Sequence, residues 1–398
     1  MPKPQRVAFM MDLSWPYKRH LDIFAGAQKY AQEKGWHSII DEYAYDSLKS
    51  DSCQYDGVIG RATVSLARQA KRRNIPLVNV WLSSPVTNQV PGVFSDFKAA
   101  GQMRAELLIS RGFLRFAALT GHPNRSHDRE LKAFRRVVLE HGGSCVSARI
   151  PQGFVDTLKA WRKTEKVVAD WMNKFELPIG VFCGPMPEAR IFAQMCLARG
   201  WRIPQDVAII AGNNEELFCE HPRPSLSSLE LGQDRIGYEA ARMLDRLINR
   251  KKRGQKIRPT KAGSDVEHVL IPPKALVLRE STDFFAVDDE IIAQALEFIA
   301  TNSHKPIGPD DVAKALTAHT RTLQRRFSKY LNSSIAAEIR RVRFERAKRE
   351  LTQSDRSIAQ ISAAVGFGLT PRMNQVFRHE LGVTPSEYRQ QTLGNTAR

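Results

Sequence analysis

From Arg6 to about Arg279, short and wholly apolar runs alternate with amphipathic segments. Val7 to Met11, Gly57-Val-Ile-Gly60, Leu77 to Val80, Phe116-Ala-Ala-Leu119, Gly180-Val-Phe-Cys183 and Val207-Ala-Ile-Ile210 read as strands. Between them, Leu21 to Glu33, Leu66 to Arg73, Lys98 to Ser110, Glu130 to Glu140 and Ala189 to Ala198 carry apolar residues at helical spacing. Strands without a polar face need cover on both sides, and β-α alternation makes the sheet mainly parallel. The class is doubly wound α/β, whose ligands lie at the carboxyl ends of the strands.

Beyond residue 282 the pattern becomes all-helical. Asp288 to Ile299 reads as a helix burying Ile292, Leu296 and Ile299, and Pro309 suits the first position of a helix burying Val312, Ala313 and Leu316. Ser334 is placed to cap a long helix from Ile335 to Leu351, packed through Ile339, Val342, Ala347 and Leu351. Ser357-Ile-Ala-Gln360 and Thr384-Pro-Ser-Glu387 are capping-box patterns, and Gly366 offers a left-handed stop between them. Two helices share one template. Leu323, Phe327 and Leu331 in Thr320 to Leu331 recur as Met373, Phe377 and Leu381 in Thr370 to Leu381, where Thr370 is the expected N-cap. Amphipathicity accounts for each stripe, and the repetition points to two copies of one DNA-reading unit.

Formal charge sharpens this reading. The 398-residue chain carries +18, and Lys305 to Arg398 holds 17 Lys/Arg against 8 Asp/Glu, about half of the excess. A double-stranded DNA partner follows from that charge combined with the helix pattern, whereas charge alone equally fits a solvated basic surface. Arg321, Gln324 and Arg325, with Ser328, share the face opposite the first stripe and are candidates for base edges. Arg326 and Lys329 lie off that face and suit phosphate. In the second copy Thr370, Asn374 and Gln375 are the base-reading candidates, with Arg372 and Arg378 for phosphate.

Several chemistries are absent. The cysteines (Cys53, Cys145, Cys183, Cys196, Cys219) form no Cys-x-x-Cys, and no histidine pair has metal spacing, so no metal or other cofactor is expected. Gly57-Val-Ile-Gly60 lacks the third glycine of a dinucleotide fingerprint, and no Gly-x-Ser-x-Gly elbow occurs. The expectation is a protein that is not an enzyme. No run approaches membrane-spanning length and the first apolar run is too short for a signal sequence, so a cytoplasmic location is expected. Asn249 to Lys261 is a basic stretch read as a solvated loop.

Three stretches resemble the sugar-binding core of LacI-type repressors and periplasmic binding proteins. They are Val93-Phe-Ser-Asp96 with Arg111-Gly-Phe and Phe116 to Gly121, then Ile203 to Asn214, then Pro224 to Ser228 with Ile236 to Ala241, closed by His268 to Pro273 and Leu276 to Thr282. The resemblance implies two lobes joined by three crossings around an effector, a sugar such as a pentose. By matching position it points to Arg19 after the first strand, Asp96, Arg129 at the start of a helix, Asn213 and Asn214 as effector contacts. Each has a plainer alternative: a helix cap for Asp96, a surface arginine for Arg129, a turn for Asn213 and Asn214. The chain departs from the family at Asn213, usually aspartate, and at Leu231, often glutamine.

Arg343 to Leu351, Ser357 to Ile361, Val365-Gly-Phe367, Val376-Phe377 and Leu381 to Arg389 resemble the AraC-type DNA-binding domain. Thr317 stands at its usual turn glycine and His319 at its usual serine cap. A core spanning 1–282 and an AraC-type double helix-turn-helix domain spanning 283–398 is a combination similar to that of XylR-like regulators. The resemblance implies an effector-controlled transcription regulator that acts as a homodimer, with RNA polymerase as a further partner. Two alternatives stay open: a constitutive dimeric DNA binder whose core has lost its effector, and a sugar-converting enzyme tethered to DNA.

Overall fold

The computed structural model describes residues 4–11, 18–151, 157–184, 186–254, 266–284, 286, 289–331, 333–354 and 356–394. Strands β1 (Arg6–Met10), β2 (His37–Ile40), β3 (Gly57–Gly60), β4 (Leu77–Asn79) and β5 (Gly92–Ser95) join β11 (His268–Ile271) in a first sheet ordered β11-β5-β4-β3-β1-β2. Strands β6 (Arg115–Thr120), β7 (Ser144–Arg149), β8 (Ile179–Cys183), β9 (Val207–Asn213) and β10 (Ser227–Glu230) join β12 (Ala275–Val277) in a second, ordered β12-β10-β9-β8-β6-β7. The two orders coincide when each lobe is counted from its own first strand. All pairings are parallel except that β12 runs antiparallel to β10.

Helices α1 (Arg19–Glu33), α2 (Ala44–Ser47) and α3 (Val64–Arg72) belong to the first lobe. The chain crosses after β5 into α4 (Phe97–Ser110), and the second lobe adds α5 (Arg125–Glu140), α6 (Leu158–Met172), α7 (Met186–Ala198) and α8 (Glu216–Glu220). It returns after β10 through α9 (Gln233–Lys252) and crosses a third time between β11 and β12. The expected three crossings are therefore present. Asn249 to Lys252 turns out to be the last turn of α9, and residues 255–261 of the basic stretch lie outside the described residues.

Alternation within each strand divides the cores. Val7, Phe9 and Ile59 pack with α1 and α9, whereas Ala8 and Val58 pack against Leu66 and Ala70 of α3 on the other face. In the second lobe Ala117, Leu119 and Val181 face one core while Phe116, Ala118 and Phe182 face the other. A period of two on strands covered on both sides produces this division. Glycine permits the closest helix approach, because a Cβ on Gly26 would lie 1.8 Å from the Asp234 carbonyl oxygen and one on Gly237 1.8 Å from that of Ile23.

The C-terminal part holds α10 (Glu290–Asn302), α11 (Pro309–Ala315), α12 (Thr320–Leu331), α13 (Ile335–Gln353), α14 (Ile358–Ala364), α15 (Thr370–Leu381) and α16 (Pro385–Gly394). Asp288 lies outside the described residues, and Asp289 caps α10 by accepting from the Ile291 and Ile292 amides. Ser334 caps α13 through the Ala337 amide, and both capping boxes form, at Ser357 with Gln360 and at Thr384 with Glu387. Thr370 is the first helical residue of α15, not its cap. Leu369 takes the cap position and makes no side-chain cap hydrogen bond.

Helix α13 serves two cores at once. Ile335, Ile339 and Val342 pack with Val312, Leu323 and Phe327, whereas Phe344, Ala347 and Leu351 pack with Ile361, Met373 and Phe377. Its 19 residues extend roughly 28 Å at 1.5 Å per residue. Leu331 is half-buried at the edge of the first core, but Leu381 is 42% exposed, so the third position of the second stripe packs little.

The turns between the helices of the two units differ in strain. Thr317 adopts φ +51°, the left-handed region that a β-branched residue enters at a cost, while Gly366 sits at φ +91°. Gly366 is also crowded, since a Cβ there would lie 2.2 Å from the Ser303 carbonyl oxygen and 2.9 Å from Arg343 Nε. Arg343 in turn donates to the carbonyls of Ser303, Lys305 and Ile307, which fastens the loop before α11 to the middle of α13. Gly382, at φ +73°, has open space around it. Gly366→Ala is therefore expected to destabilise the protein by more than about 2 kcal/mol, and Gly382→Ala by about 1 kcal/mol, from backbone conformation alone. Urea unfolding of both variants checks this, and equal losses would contradict the close approach at Gly366.

Candidate nucleic-acid interface and effector cleft

Each reading helix exposes the face its buried stripe leaves over. Position by position, residues 320–330 and 370–380 have the same burial pattern, with Leu323 and Phe327 matched by Met373 and Phe377, all fully buried. Two side chains fix the register at a spacing of four, and everything on the opposite face turns outward together. Arg321, Arg325, Ser328 and Lys329 are exposed on α12, as are Arg372, Gln375 and Arg378 on α15. Lys329 lies over the Tyr330 ring at 5.0 Å.

Two other candidates, Gln324 and Arg326, are occupied within the protein. Gln324 is half-buried, and its Oε1 accepts from the Ile335 amide at 3.3 Å, bridging the end of the reading unit to the start of α13. Thr370 and Asn374 are half-buried. Arg326, expected at phosphate, ion-pairs with Asp289 at 2.6 Å. That carboxylate is 6% exposed and caps α10, so Arg326 belongs to the packing of α12 on α10.

Among the described residues, side chains bridge the two lobes in two places. Lys18 Nζ lies 3.2 Å from Glu230, and its amide donates to Glu215 Oε2 at 3.2 Å. Elsewhere Ser83 Oγ is 3.3 Å from Asn124 Oδ1 and 3.2 Å from Ser126 Oγ, and Arg125 donates to Asn88. Helix α5 begins at Arg125, four residues before the expected start, because Asn124 caps it through the His127 amide.

Of the five residues expected to contact an effector, Arg19, the first residue of α1, and Asn213, the last of β9, have side chains that make no hydrogen bond among the described residues. Tyr17, beside Arg19, lies outside them. Burial first, and Arg61 second, push the Arg19 pKa down to about 10. Asp96 takes its plainer role, capping α4 by accepting from the Lys98 and Ala99 amides at 3.0 Å. Arg129 is exposed on α5. Asn214 is 7% exposed and fully engaged, accepting from Ser228 Oγ and from Arg279 at 2.8 Å and donating to Glu230. Its role is to anchor the end of β9.

Two buried networks support this region. Arg104, 1% exposed, pairs with Glu130 and donates to the carbonyls of Ala211 and Gly212, which props the end of β9 just before Asn213. Asn79, fully buried, accepts from the Ala62 and Trp81 amides and donates to the Trp81 carbonyl. It thereby positions Arg61, whose guanidinium lies 4.5 Å from the Trp81 ring centroid. Arg61 and Trp81 escaped the sequence reading. They carry no periodic signal, although their places directly after apolar runs were visible.

A charged junction links core to helices. Both Arg341 terminal nitrogens on α13 lie 2.9 Å from Asp283 Oδ1, and Nε lies 2.9 Å from Glu338 Oε2. Burial opposes the Arg341 charge, yet Glu338 and Asp283 outweigh it and raise its pKa. Arg111, at the end of α4, is pushed down to about 10 by burial and then by Arg341. Asp283 directly follows a 3-10 turn, Glu280–Thr282, and Arg279 before that turn holds Asn214. Contacts thus run from the end of β9 to α13.

Among the described residues, no group of three or more His, Cys, Asp or Glu could hold a metal ion, and no helix is long and apolar enough to cross a membrane. A two-lobed parallel core with two outward-facing helix-turn-helix units defines the class, a DNA-binding transcription regulator. The chain matches the periplasmic binding protein-like domain family over residues 105–282 and a helix-turn-helix domain family over 312–391, so it combines a periplasmic-binding-protein-like core with an AraC-type DNA-binding domain. It is 27% identical to the xylose operon regulatory protein of Escherichia coli K12 over 97% of each chain, and 25% identical to that of Haemophilus influenzae over 96% of this chain and 98% of the relative. The solved structure of a xylose-binding transcription activator shares the fold, with a TM-score of 0.60 at 23% identity over 98% of each chain. These relatives are regulators, not enzymes.

Arg326→Ala removes the partner of a buried carboxylate, so it is expected to lower stability by about 1 kcal/mol, discounted for the exposure of the arginine. Thermal unfolding checks this. Unchanged stability with a shallower salt dependence of DNA binding would return Arg326 to the phosphate backbone.

Proposed function

We propose that the chain is a sequence-specific DNA-binding regulator controlled by a small sugar-like effector, with residues 1–282 as the effector core and 283–398 as the DNA-binding domain. The observation that carries this reading is the matched exposure of α12 and α15, two polar and basic faces mounted on one helix. Arg321 and Arg325 read base edges from α12, and Asn374 and Gln375 from α15, with Thr370 at its leading end. Arginine and glutamine are suited to bidentate contacts with guanine and adenine in the major groove. Lys329, Arg372 and Arg378 take phosphates, which set register without carrying sequence information.

The relatives' xylose operon role makes sugars the first effectors to test. Arg19 and Asn213 supply polar contacts from opposite lobes. The protein works in the cytoplasm as a homodimer on paired half-sites, and it meets RNA polymerase where it activates. An effector that binds the closed lobes more tightly moves the end of β9, and the contacts through Asn214, Arg279 and Asp283 carry the change to Arg341 on α13. Only differential affinity for the two lobe arrangements drives such a shift.

Footprinting on the protein's own promoter region, with and without candidate sugars, tests the whole reading: protection that depends on the sugar supports it, and sugar-independent protection contradicts effector control. Arg325→Ala is expected to weaken cognate DNA by about 1 to 3 kcal/mol while leaving random DNA unchanged, whereas Lys329→Ala weakens both alike and lowers the salt slope by about one. Titrations at several salt concentrations separate the two, and equal losses for Arg325→Ala on both DNAs count against base reading. Asp283→Asn is expected to shrink the effector-induced change in operator affinity while effector binding persists. An undiminished change would remove the junction from the coupling.

A further inference from the structure

One large apolar side chain of the C-terminal part stands where folding gains little from it. Leu369, directly before α15, is 67% exposed, the most exposed large apolar residue described in that part. It also occupies the N-cap of α15 without a side-chain hydrogen bond, whereas Asp289, Ser334, Ser357 and Thr384 cap α10, α13, α14 and α16. Leucine is among the poorest residues for a cap. An exposed apolar group at an N-cap breaks two local rules together, and such breaks concentrate at functional places.

The backbone holds this residue in place. The Leu369 amide donates to the Phe367 carbonyl at 3.1 Å, and the Leu369 carbonyl accepts from the Arg372 amide at 3.1 Å. Phe367 is buried in the core that holds Met373 and Phe377, so the chain is anchored on either side of Leu369. Leu369 heads a row of exposed residues spaced by three, followed by Arg372, Gln375 and Arg378. Residues three apart are neighbours on a helix surface. The leucine therefore extends the outward face of α15 at its leading end, among basic residues that complement a phosphate backbone. In the first unit the equivalent place, directly before α12, belongs to His319, which is exposed and polar. The two heads thus differ in chemistry at their leading ends.

Recognition helices set their N-terminal residues against base edges in the major groove, where the C5-methyl group of thymine is the apolar feature. An anionic phosphate offers leucine no partner. We propose that Leu369 packs on a thymine methyl group and so selects a T·A pair in the DNA stretch read by α15, with no counterpart in the stretch read by α12. This rests on the DNA reading put forward above. The contact removes apolar surface of both groups from water, which stabilises this complex over one with any other base pair.

Selection of binding sequences from random DNA by the full chain, wild type and Leu369→Ala, tests the proposal. The wild type is expected to enrich a T·A pair that Leu369→Ala leaves unselected. Replacing that thymine by uracil removes only its methyl group. The change is expected to weaken the wild type about fourfold, the ratio for one buried methyl group, and Leu369→Ala not at all. Leu369→Ser is expected to lose the same preference while raising the unfolding temperature, because serine supplies the missing cap. A purely structural leucine would instead lose stability together with binding. An equal uracil penalty in wild type and Leu369→Ala, or no penalty in either, overturns the proposal and leaves reading by α15 intact. Enrichment of no sequence by the wild type overturns both.

Discussion

Helix α13 is the element on which the rest of the C-terminal helical part depends. Its first two turns complete one hydrophobic core and its last turns complete another, so neither helix-turn-helix unit closes without it. Burying an aromatic such as Phe327 or Phe377 contributes roughly 1.5 to 3 kcal/mol, and both do so within reach of the same helix. The guanidinium of Arg343 adds a second fastening by binding three carbonyls of the loop before α11, and the turn at Gly366 packs directly onto that loop. Two small cores, each too slight to be an independent domain, are thereby held as one body.

The same helix is gripped from the other side. Asp283 and Glu338 share Arg341, so the last residues of the core meet α13 through an ion-paired cluster. Such a cluster contributes little net stability, because desolvation offsets most of its attraction, but it is sensitive to geometry. Upstream, Arg279 ties the exit from the core to Asn214, directly after Asn213 at the end of β9. The cleft and the DNA-facing helices are therefore connected through named contacts, and the energy available to move one by the other is set by the effector's preference between lobe arrangements.

Much of this was legible from residue pattern. Continuous apolar runs such as Gly57-Val-Ile-Gly60 and Gly180-Val-Phe-Cys183 revealed the inner strands, because those strands are covered on both faces. The edge strands β2 and β7 are half-exposed, mix Ser, His and Arg with their apolar residues, and gave no comparable run. In the helical half, capping boxes and repeated stripes led directly to the correct elements. Pairing choices were less accessible: Asp289 lies 37 residues from Arg326, and nothing local distinguishes an arginine bound for a carboxylate from one facing solvent. The region after the first-lobe strands was hardest of all, since Arg61 and Trp81 become neighbours only through the pairing of β3 with β4.

Rigid coupling of the two reading heads by α13 is the central claim, and DNA spacing tests it most directly. Once the two contact stretches of an operator are mapped, DNA with half a helical turn, and with a full turn, inserted between them can be titrated against the intact operator. A rigid pair cannot follow either insertion, so both are expected to forfeit the contribution of one head and bind far more weakly. Undiminished affinity for either inserted operator would show heads that move independently or a single head that reads alone, and would contradict the account.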